Sequence, residues 1–210
     1  MAESIVKHTA TTMAIMVVFS LVGTVFLAKT YLVTKAPIEA SEAAAKMKLF
    51  EQVLPMSEHD NDLLNDYVEK TAGGELNNRN KTKVYTARLA GVATAVILEA
   101  TARDGYSGDI KLLIAVRQDG SLSGVRVIAH KETPGLGDYI DIAKDNWIKS
   151  FKDLSFTIRP SAQWKVKKDG GQFDYMAGAT ITPRAVVKAT HKALAYVEAN
   201  QQILFAAHNK

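Results

Sequence analysis

The chain of 210 residues contains no cysteine, and it lacks the usual signatures of nucleotide-binding and nucleophilic enzymes. Without cysteine there is no disulfide, no iron–sulfur ligation and no thiolate zinc site. The sequence also has no phosphate-binding glycine loop, dinucleotide fingerprint, nucleophile elbow or internal repeat. Any redox centre must therefore be bound without cysteine. The lack of cysteine does not assign the protein to a cellular compartment.

The charged residues and histidines exclude two further classes of site. The formal net charge of +4 is modest, and basic residues are dispersed among acidic ones without an aromatic platform motif. We therefore expect no nucleic-acid binding. The histidines show no paired ligand spacing, so we expect no metal site; they are His8, His59, His130, His191 and His208.

One long apolar run is present near the N-terminus. Residues 9–28 carry no charge and are long enough to cross a hydrocarbon core of about 30 Å. A cleaved signal peptide is the alternative, but the run exceeds the usual length of about 7 to 15 residues and no Ala-x-Ala site follows it. We predict a transmembrane anchor over 1–34 and one soluble domain over 35–210, with a lead-in over 35–81 and a core over 82–210.

The lysines around this run do not settle its orientation. Lys7 precedes the run, while Lys29, Lys35, Lys46 and Lys48 follow it. If only these lysines are counted, the positive-inside rule favours a cytoplasmic location for the domain that follows the run.

Beyond the anchor, the pattern of apolar residues and turns predicts an α+β fold. Helical spacing predicts a helix over 36–54, and the polar stretch 61–80 predicts a loop with a short helix. β-Branched runs at 84–89, 94–101, 110–118 and 122–129 predict antiparallel strands, with a hairpin turn at Asp119-Gly120. We further predict a helix over 138–149 capped by Asp138, an edge strand over 164–168 and an amphipathic helix over 182–204. The helices would pack on a twisted antiparallel sheet.

A hydroxyl-rich turn precedes that last helix. Thr182 is predicted to cap the helix and Pro183 to lie in its first turn, so unpaired N–H groups and the positive end of the helix dipole lie beside Thr180. A phosphate is favoured at such a position. Gly178 and Ala179 carry no bulky side chain, so a large group could lie close to the backbone beside Thr180. The simpler interpretation is a turn and a helix cap.

A second motif lies about forty residues upstream. Residues 132–137 read Glu-Thr-Pro-Gly-Leu-Gly and follow a predicted strand. Proline fixes one dihedral, the glycines permit left-handed conformations, and Leu136 offers an apolar surface between them. Such a loop can lie against a flat ring, although a tight connection between strand and helix is the simpler interpretation of the loop taken alone.

Residues 174–180 read Asp-Tyr-Met-Ala-Gly-Ala-Thr and resemble the flavinylation motif Asp-x-x-(Ser/Thr)-Gly-Ala-Thr, with Ala177 where the family usually has Ser or Thr. In proteins with this motif the last threonine carries FMN through a phosphodiester. The resemblance implies that Thr180 is the acceptor, with Thr182 as the rival hydroxyl. It implies that Asp174 is recognised by the flavin transferase, and a loop or cap hydrogen bond is the alternative role for Asp174.

Together the two motifs resemble the FMN-binding domains of Rnf and of sodium-pumping NADH:quinone oxidoreductase complexes. The resemblance extends from the apolar segment to the final helix, and residues 177–188 are most similar to the G subunits of Rnf complexes. It implies that the isoalloxazine ring is bound and oriented by Glu132, Thr133, Gly135, Leu136 and Gly137. By the same resemblance, Gly108 is a position where the backbone approaches the cofactor.

The resemblance also implies a function. The chain would be a membrane-anchored flavoprotein that relays electrons through covalent FMN in a ferredoxin:NAD oxidoreductase coupled to cation translocation. Its partners would be other subunits, the membrane and a periplasmic flavin transferase, and its domain would face the periplasm from the bacterial inner membrane. The alternatives are the C subunit of a sodium-pumping NADH:quinone oxidoreductase and, in a different class, a non-redox membrane-tethered binding module. We expect five aromatic residues to pack in the core or beside the cofactor, namely Tyr106, Tyr139, Trp147, Trp164 and Tyr175.

Overall fold

The computed structural model of the chain describes residues 2–71 and 74–206, with side chains for 7–71, 74 and 76–206. The chain divides into two compact units, Met1–Lys46 and Met47–Lys210. Helix α1 (Ala2–Val53) forms the first unit and continues into the second. The helices predicted separately over 9–28 and 36–54 are therefore one continuous helix, with Pro37 inside it.

The apolar part of α1 is long and hydrophobic enough to cross a membrane. Its large side chains, among them Phe19, Val25 and Leu27, are exposed. Hydroxyl groups along it bond within the helix: Thr24 donates to the carbonyl of Ser20 at 2.8 Å, and Thr30 donates to that of Phe26 at 2.9 Å. The polar atoms of these side chains thus have partners that do not depend on water.

The second unit contains a five-stranded antiparallel sheet whose strands follow in chain order. The strands are β1 (Tyr67–Lys70), β2 (Thr82–Leu89), β3 (Val92–Ala102), β4 (Ile110–Arg117) and β5 (Leu122–Ala129). The four predicted strands are confirmed, whereas β1 lies in the stretch predicted as loop. The hairpin turn at Asp119-Gly120 is also confirmed, with Gly120 at a φ of 81° and its N–H bonded to the Arg117 carbonyl at 3.0 Å.

Both faces of the sheet are covered because the inner strands are apolar at successive positions. On one face Leu98 and Ile114 pair across β3 and β4 and pack in a cluster with helix α2 (Ile181–Ala199). On the other face Ile97 packs in a second cluster with Phe50 and Leu54. The end of α1 thus belongs to the core of this unit.

Two predicted elements are wrong. Residues 138–149 form no α-helix but two 3-10 helices, Gly137–Ile140 and Trp147–Phe151. Between them, Asp141 accepts the N–H of Ala143 at 3.0 Å and Asp145 accepts that of Trp147 at 2.7 Å, so aspartate side chains take the place of helical carbonyls.

The edge strand predicted over 164–168 is reduced to one parallel bridge between Val166 and Phe173. The chain turns at once through a 3-10 helix, Lys167–Asp169, and Gly170 in the left-handed region. The final helix is interrupted at Asn200, after which α3 (Gln201–Leu204) follows.

Candidate functional site

Three segments of the second unit meet where α2 begins: the β3–β4 loop at 105–108, the loop after β5 at 132–139, and residues 174–182. The carboxylate of Glu132 joins two of them to its own loop. Its Oε1 accepts the N–H of Ser107 at 3.0 Å, and its Oε2 accepts the hydroxyl of Thr182. Glu132 is only 4% exposed. A buried carboxylate with two donors fixes the positions of both, because leaving either donor unpaired in the interior costs free energy.

The close approach of these segments requires glycine at 137. A Cβ atom at Gly137 would lie 2.8 Å from Oγ1 of Thr182 and 3.0 Å from Oε2 of Glu132. The second glycine of the motif is thus explained by packing against the Glu132–Thr182 pair.

The loop at 132–137 is closed by its own hydrogen bonds. The carbonyl of Thr133 accepts the N–H groups of Leu136 and Gly137, both at 3.1 Å. Asp138 does not cap a helix as predicted; instead its Oδ1 accepts the N–H of Gly135 at 2.8 Å and stabilises the turn. Leu136, 45% exposed, points its side chain into solvent. The loop is a rigid turn that presents one apolar side chain.

The motif segment 174–180 is held by two buried aromatic residues. The hydroxyl of Tyr139 accepts the N–H of Met176 at 3.3 Å, and the indole N–H of Trp147 donates to the carbonyl of Asp174 at 2.9 Å. Burial raises the pKa of Tyr139 to about 12, so its hydroxyl stays neutral. The carboxylate of Asp174 is exposed and forms an ion pair with Lys167. The backbone of the motif is thereby fixed while the side chains of Asp174 and Tyr175 are exposed.

The N-terminus of α2 has no side-chain cap. Thr180 occupies the N-cap position, yet its side chain makes no capping hydrogen bond, and the first turn holds no acidic residue. The prediction that Thr182 caps the helix is wrong, because Thr182 lies inside the first turn, is 1% exposed and donates to Glu132. The N–H groups of Ile181 and Thr182 have no acceptor within the helix. This end of a 19-residue helix therefore favours an anion.

Large apolar side chains are exposed in the same three segments. We call them the apolar rim; they are Tyr106, Leu136, Tyr175, Met176 and Ile181. Large apolar residues gathered at one place on a surface are typical of a ligand or partner site. Ile181 directly follows Thr180, so the uncapped helix end itself carries one of these exposed apolar side chains.

The structure brings most of the predicted site residues into these three segments. Gly108, at a φ of 123°, lies in the β3–β4 loop, and Gly178, at a φ of 87°, precedes Thr180. Ala179 is buried and its N–H bonds to the Met176 carbonyl at 3.1 Å. Whether any of them contacts FMN stays a prediction. Trp147 is buried against Tyr139, with ring centroids 5.6 Å apart, whereas Tyr175 is exposed.

Sequence patterns missed Ser107 and Lys167. Ser107 contributes a backbone N–H, which any residue provides, so its identity carries no signal. Lys167 is seven residues from Asp174 in a segment without periodic structure, and only the turn at Gly170 brings the two together. Among residues whose side chains are described, no group of three histidine or acidic side chains has the geometry of a metal site.

The fold and this site define a class of protein, the FMN-binding domain: its family model matches residues 105–195, and that of the RnfG N-terminal region matches residues 1–53. Proteins named as the G subunit of an ion-translocating oxidoreductase complex match most of the chain. The one from Pseudomonas aeruginosa is 48% identical over 90% of this chain and 88% of its own length. Those from Vibrio cholerae and Pseudoalteromonas atlantica are 42% and 40% identical over 93% of this chain, covering 92% and 91% of their own lengths. The chain belongs to the family of ion-translocating oxidoreductase complex G subunits. The resemblance inferred from the two motifs is confirmed.

Proposed function

We propose that this protein carries FMN on Thr180 through a phosphodiester and relays electrons as a membrane-anchored subunit of an ion-translocating oxidoreductase complex. The observation that carries this proposal is the free hydroxyl of Thr180 at the uncapped N-terminus of α2. Membership of the G-subunit family and the match to the FMN-binding domain support the cofactor and the complex.

The residues present fit the phosphate of FMN. The free N–H groups and the dipole of α2 favour the negative charge of the phosphodiester, and no carboxylate in the first turn competes with it. Gly178 has open space where a Cβ would lie, so a bulky group can approach the backbone there. The transfer forms the Oγ–P bond while the bond from that phosphorus to the leaving group of the donor, a flavin diphosphate ester, breaks, and the hydroxyl proton passes to the leaving group. Because the Thr180 hydroxyl makes no capping bond, this step sacrifices none of the stability that a cap contributes.

The same geometry distinguishes the two candidate hydroxyls. Thr180 is half-buried, whereas Thr182 is buried and its hydroxyl is already bonded to Glu132. A transferase has to reach the hydroxyl that it modifies. The accessible hydroxyl is that of Thr180.

The apolar rim fits the isoalloxazine ring. Leu136 offers exposed apolar area on the loop that packs against the start of α2, and Tyr175 and Ile181 offer further apolar area on the segment that carries the acceptor. The carboxylate of Glu132 is buried and bonded to Ser107 and Thr182. Its role is therefore to hold the loop at 132–137 against the start of α2 rather than to contact the isoalloxazine ring. When bound, FMN supplies the electron chemistry, and these residues orient it and shield it from water.

Helix α1 fits a membrane anchor. It has one segment long and apolar enough to span a bilayer, and its threonine hydroxyls are satisfied inside the helix. We infer a single-pass anchor in the bacterial inner membrane, with the flavin domain on the periplasmic side where a flavin transferase acts.

The proposal is tested by intact mass after denaturation, with the chain co-expressed with a flavin transferase. The wild-type protein should gain one FMN less one water, and Thr180→Val should gain nothing. Thr180→Ser, which keeps a hydroxyl at the same place, is the matched control and should retain the label. Since Thr180 and Thr182 share the tryptic peptide 169–184, fragmentation of that peptide is needed to place the modification.

Thr182→Val gives the opposite test. It should retain the covalent label at Thr180 wherever the protein remains folded. A label that persists in Thr180→Val and disappears in Thr182→Val would refute the assignment of the acceptor.

A further inference from the structure

A cavity of about 210 Å³ lies on the opposite edge of the second unit's sheet from β1, outside the three segments of the flavin site. It is bounded by the end of α1, by β5 and by the 3-10 helix Trp147–Phe151. Basic and hydroxyl side chains line it, namely Ser123, Arg126, Lys149 and Lys152, together with one carboxylate, that of Glu51.

Two of these side chains have hydrogen-bonding atoms without a partner. Ser123 is 5% exposed, and its Oγ makes no hydrogen bond. The Nε of Arg126 is likewise buried and unpaired. Buried polar atoms almost always have a hydrogen-bond partner. Two unpaired atoms beside one cavity therefore require an explanation, such as a bound water or ion.

The charge of Arg126 is also uncompensated. Its Nη1 donates to the carbonyl of Val125 at 2.7 Å, and none of the ion pairs found among the described residues involves Arg126. A guanidinium stays protonated and carries five N–H donors, so most of its bonding capacity remains open. Partial burial lowers the pKa of Arg126, which reflects a cation removed from water without a counterion. Buried charges in proteins are normally paired.

We propose that this cavity binds a small oxyanion of the phosphate class, held by Arg126 and Ser123 with Lys149 and Lys152 beside them. Three cations against the single carboxylate of Glu51 leave two positive charges, which match a dianion. A hydroxyl, a guanidinium and two ammonium groups are the donors that proteins commonly use for phosphate oxygens. The proposal does not depend on the flavin assignment, because no residue of the cavity belongs to that site.

The test measures the unfolding temperature of the full chain in detergent while inorganic phosphate is raised against potassium chloride at equal ionic strength. The wild-type protein should show a saturable rise of roughly 3 to 10 °C as phosphate reaches about 100 times its Kd. Arg126→Gln and Ser123→Ala should each lose most of that rise. Lys168→Gln, which removes an exposed lysine outside the cavity, is the matched control and should keep it.

The variants also separate ligand binding from a structural role. The Oγ of Ser123 makes no bond within the protein, so Ser123→Ala should unfold no earlier than the wild type when phosphate is absent. Arg126→Gln also loses the Nη1 bond to the Val125 carbonyl, so any decrease in its unfolding temperature should be small and should not be reproduced by Glu51→Gln. If Arg126→Gln lowers the unfolding temperature without phosphate, and Glu51→Gln lowers it equally, Glu51 is the internal partner of Arg126 and the proposal is overturned.

Two further arms define the ligand. Glycerol 3-phosphate in place of inorganic phosphate tells whether a phosphate ester or the free ion binds more tightly, and either order supports a phosphate site. Acetate should have no saturable effect. A rise that is equal in acetate, or that is unchanged in Arg126→Gln, would overturn the proposal.

Discussion

Thr180 and Thr182 are two positions apart, yet their hydroxyls have different surroundings. Thr182 is locked into a buried hydrogen bond with Glu132, whereas Thr180 makes no capping bond at the end of α2. Glu132 therefore has two roles at the residue scale. It connects the β3–β4 loop to the start of α2 by accepting the N–H of Ser107, and it accepts the hydroxyl of Thr182, the alternative candidate for modification.

The role of Glu132 predicts a loss of stability that is independent of flavin. Glu132→Ala leaves the Ser107 N–H and the Thr182 hydroxyl without a partner, which should lower the free energy of unfolding by roughly 2 to 6 kcal/mol. Glu132→Gln keeps an acceptor for Ser107 and should cost less than half as much. The measurement is urea unfolding of the flavin-free protein in a Thr180→Val background. Equal stability of Thr180→Val with and without Glu132→Ala would contradict this role.

At the scale of elements, the loop at 132–137 is a turn closed from within that carries Leu136 on its outer side. Its shape depends on backbone hydrogen bonds and on Asp138, not on the leucine side chain. The identity of residue 136 can therefore change without loss of the turn.

Leu136→Asp should leave the covalent FMN mass intact while altering the flavin spectrum or reduction potential. A carboxylate beside the ring opposes the gain of negative charge on reduction, by an amount on the order of 1 to 3 kcal/mol in a partly dry site. Redox titration of the flavinylated protein measures it. Leu89→Asp, at a residue 42% exposed on the β2–β3 hairpin, is the control and should not shift the potential. An unchanged spectrum and potential in Leu136→Asp would place the loop away from the flavin.

Helix α2 is fixed on its outer side by His191. The imidazole packs against the rings of Phe156 and Trp164, with centroids 5.0 and 5.9 Å away, and its Nε2 lies 2.6 Å from Oγ of Ser161. Burial lowers the pKa of His191 below its usual 6.5. The neutral ring is the form that this contact accommodates.

A pH-dependent loss of stability follows from this contact. Because the unfolded chain binds the proton more readily, the contribution of His191 is fully present above pH 6.5 and declines as the pH falls through and below that value. The free energy of unfolding of the wild type should therefore fall more steeply between pH 7 and pH 5 than that of His191→Gln, which keeps a partner for Ser161. Parallel curves for the two proteins would show that His191 is not responsible.

Sequence patterns predicted well the elements whose structure is determined by residues within the element itself. Strands β2 to β5 carry β-branched runs between turn signals, and each was found. The stretch 138–149 failed because Asp141 and Asp145 bond to nearby N–H groups, a competition that apolar spacing does not reveal. Strand β1 was missed because it is only four residues long and lies in a polar stretch with no buried position. Its place in the sheet depends on pairing with β2, which its own sequence does not reveal. The motifs named residues that the structure brings together at the start of α2, but the Glu132–Thr182 bond between distant segments was not foreseeable.

At the scale of the whole molecule, the lysines near the apolar run and the proposed route of flavin attachment favour opposite orientations. Lys29 and Lys35 follow the run closely, whereas attachment of FMN by a periplasmic transferase requires the second unit on the other side of the membrane. We therefore predict that a reporter active only in the periplasm, fused after Lys210, is active. A cytoplasm-only reporter serves as the reciprocal control at the same junction. Activity of that second reporter would overturn both the orientation and the route of flavin attachment.

The order of strands in the sheet has a consequence for the timing of maturation. Each strand pairs with its neighbour in the chain, so the meander can form from local contacts soon after its residues are available. The acceptor segment instead needs Thr182 and α2, close to the end of the chain, to reach Glu132 in the loop after β5. On the proposed assignment of Thr180, the surface that a flavin transferase would recognise is completed only after the sheet and α2 have come together, and attachment of the cofactor would report that this step of folding has occurred.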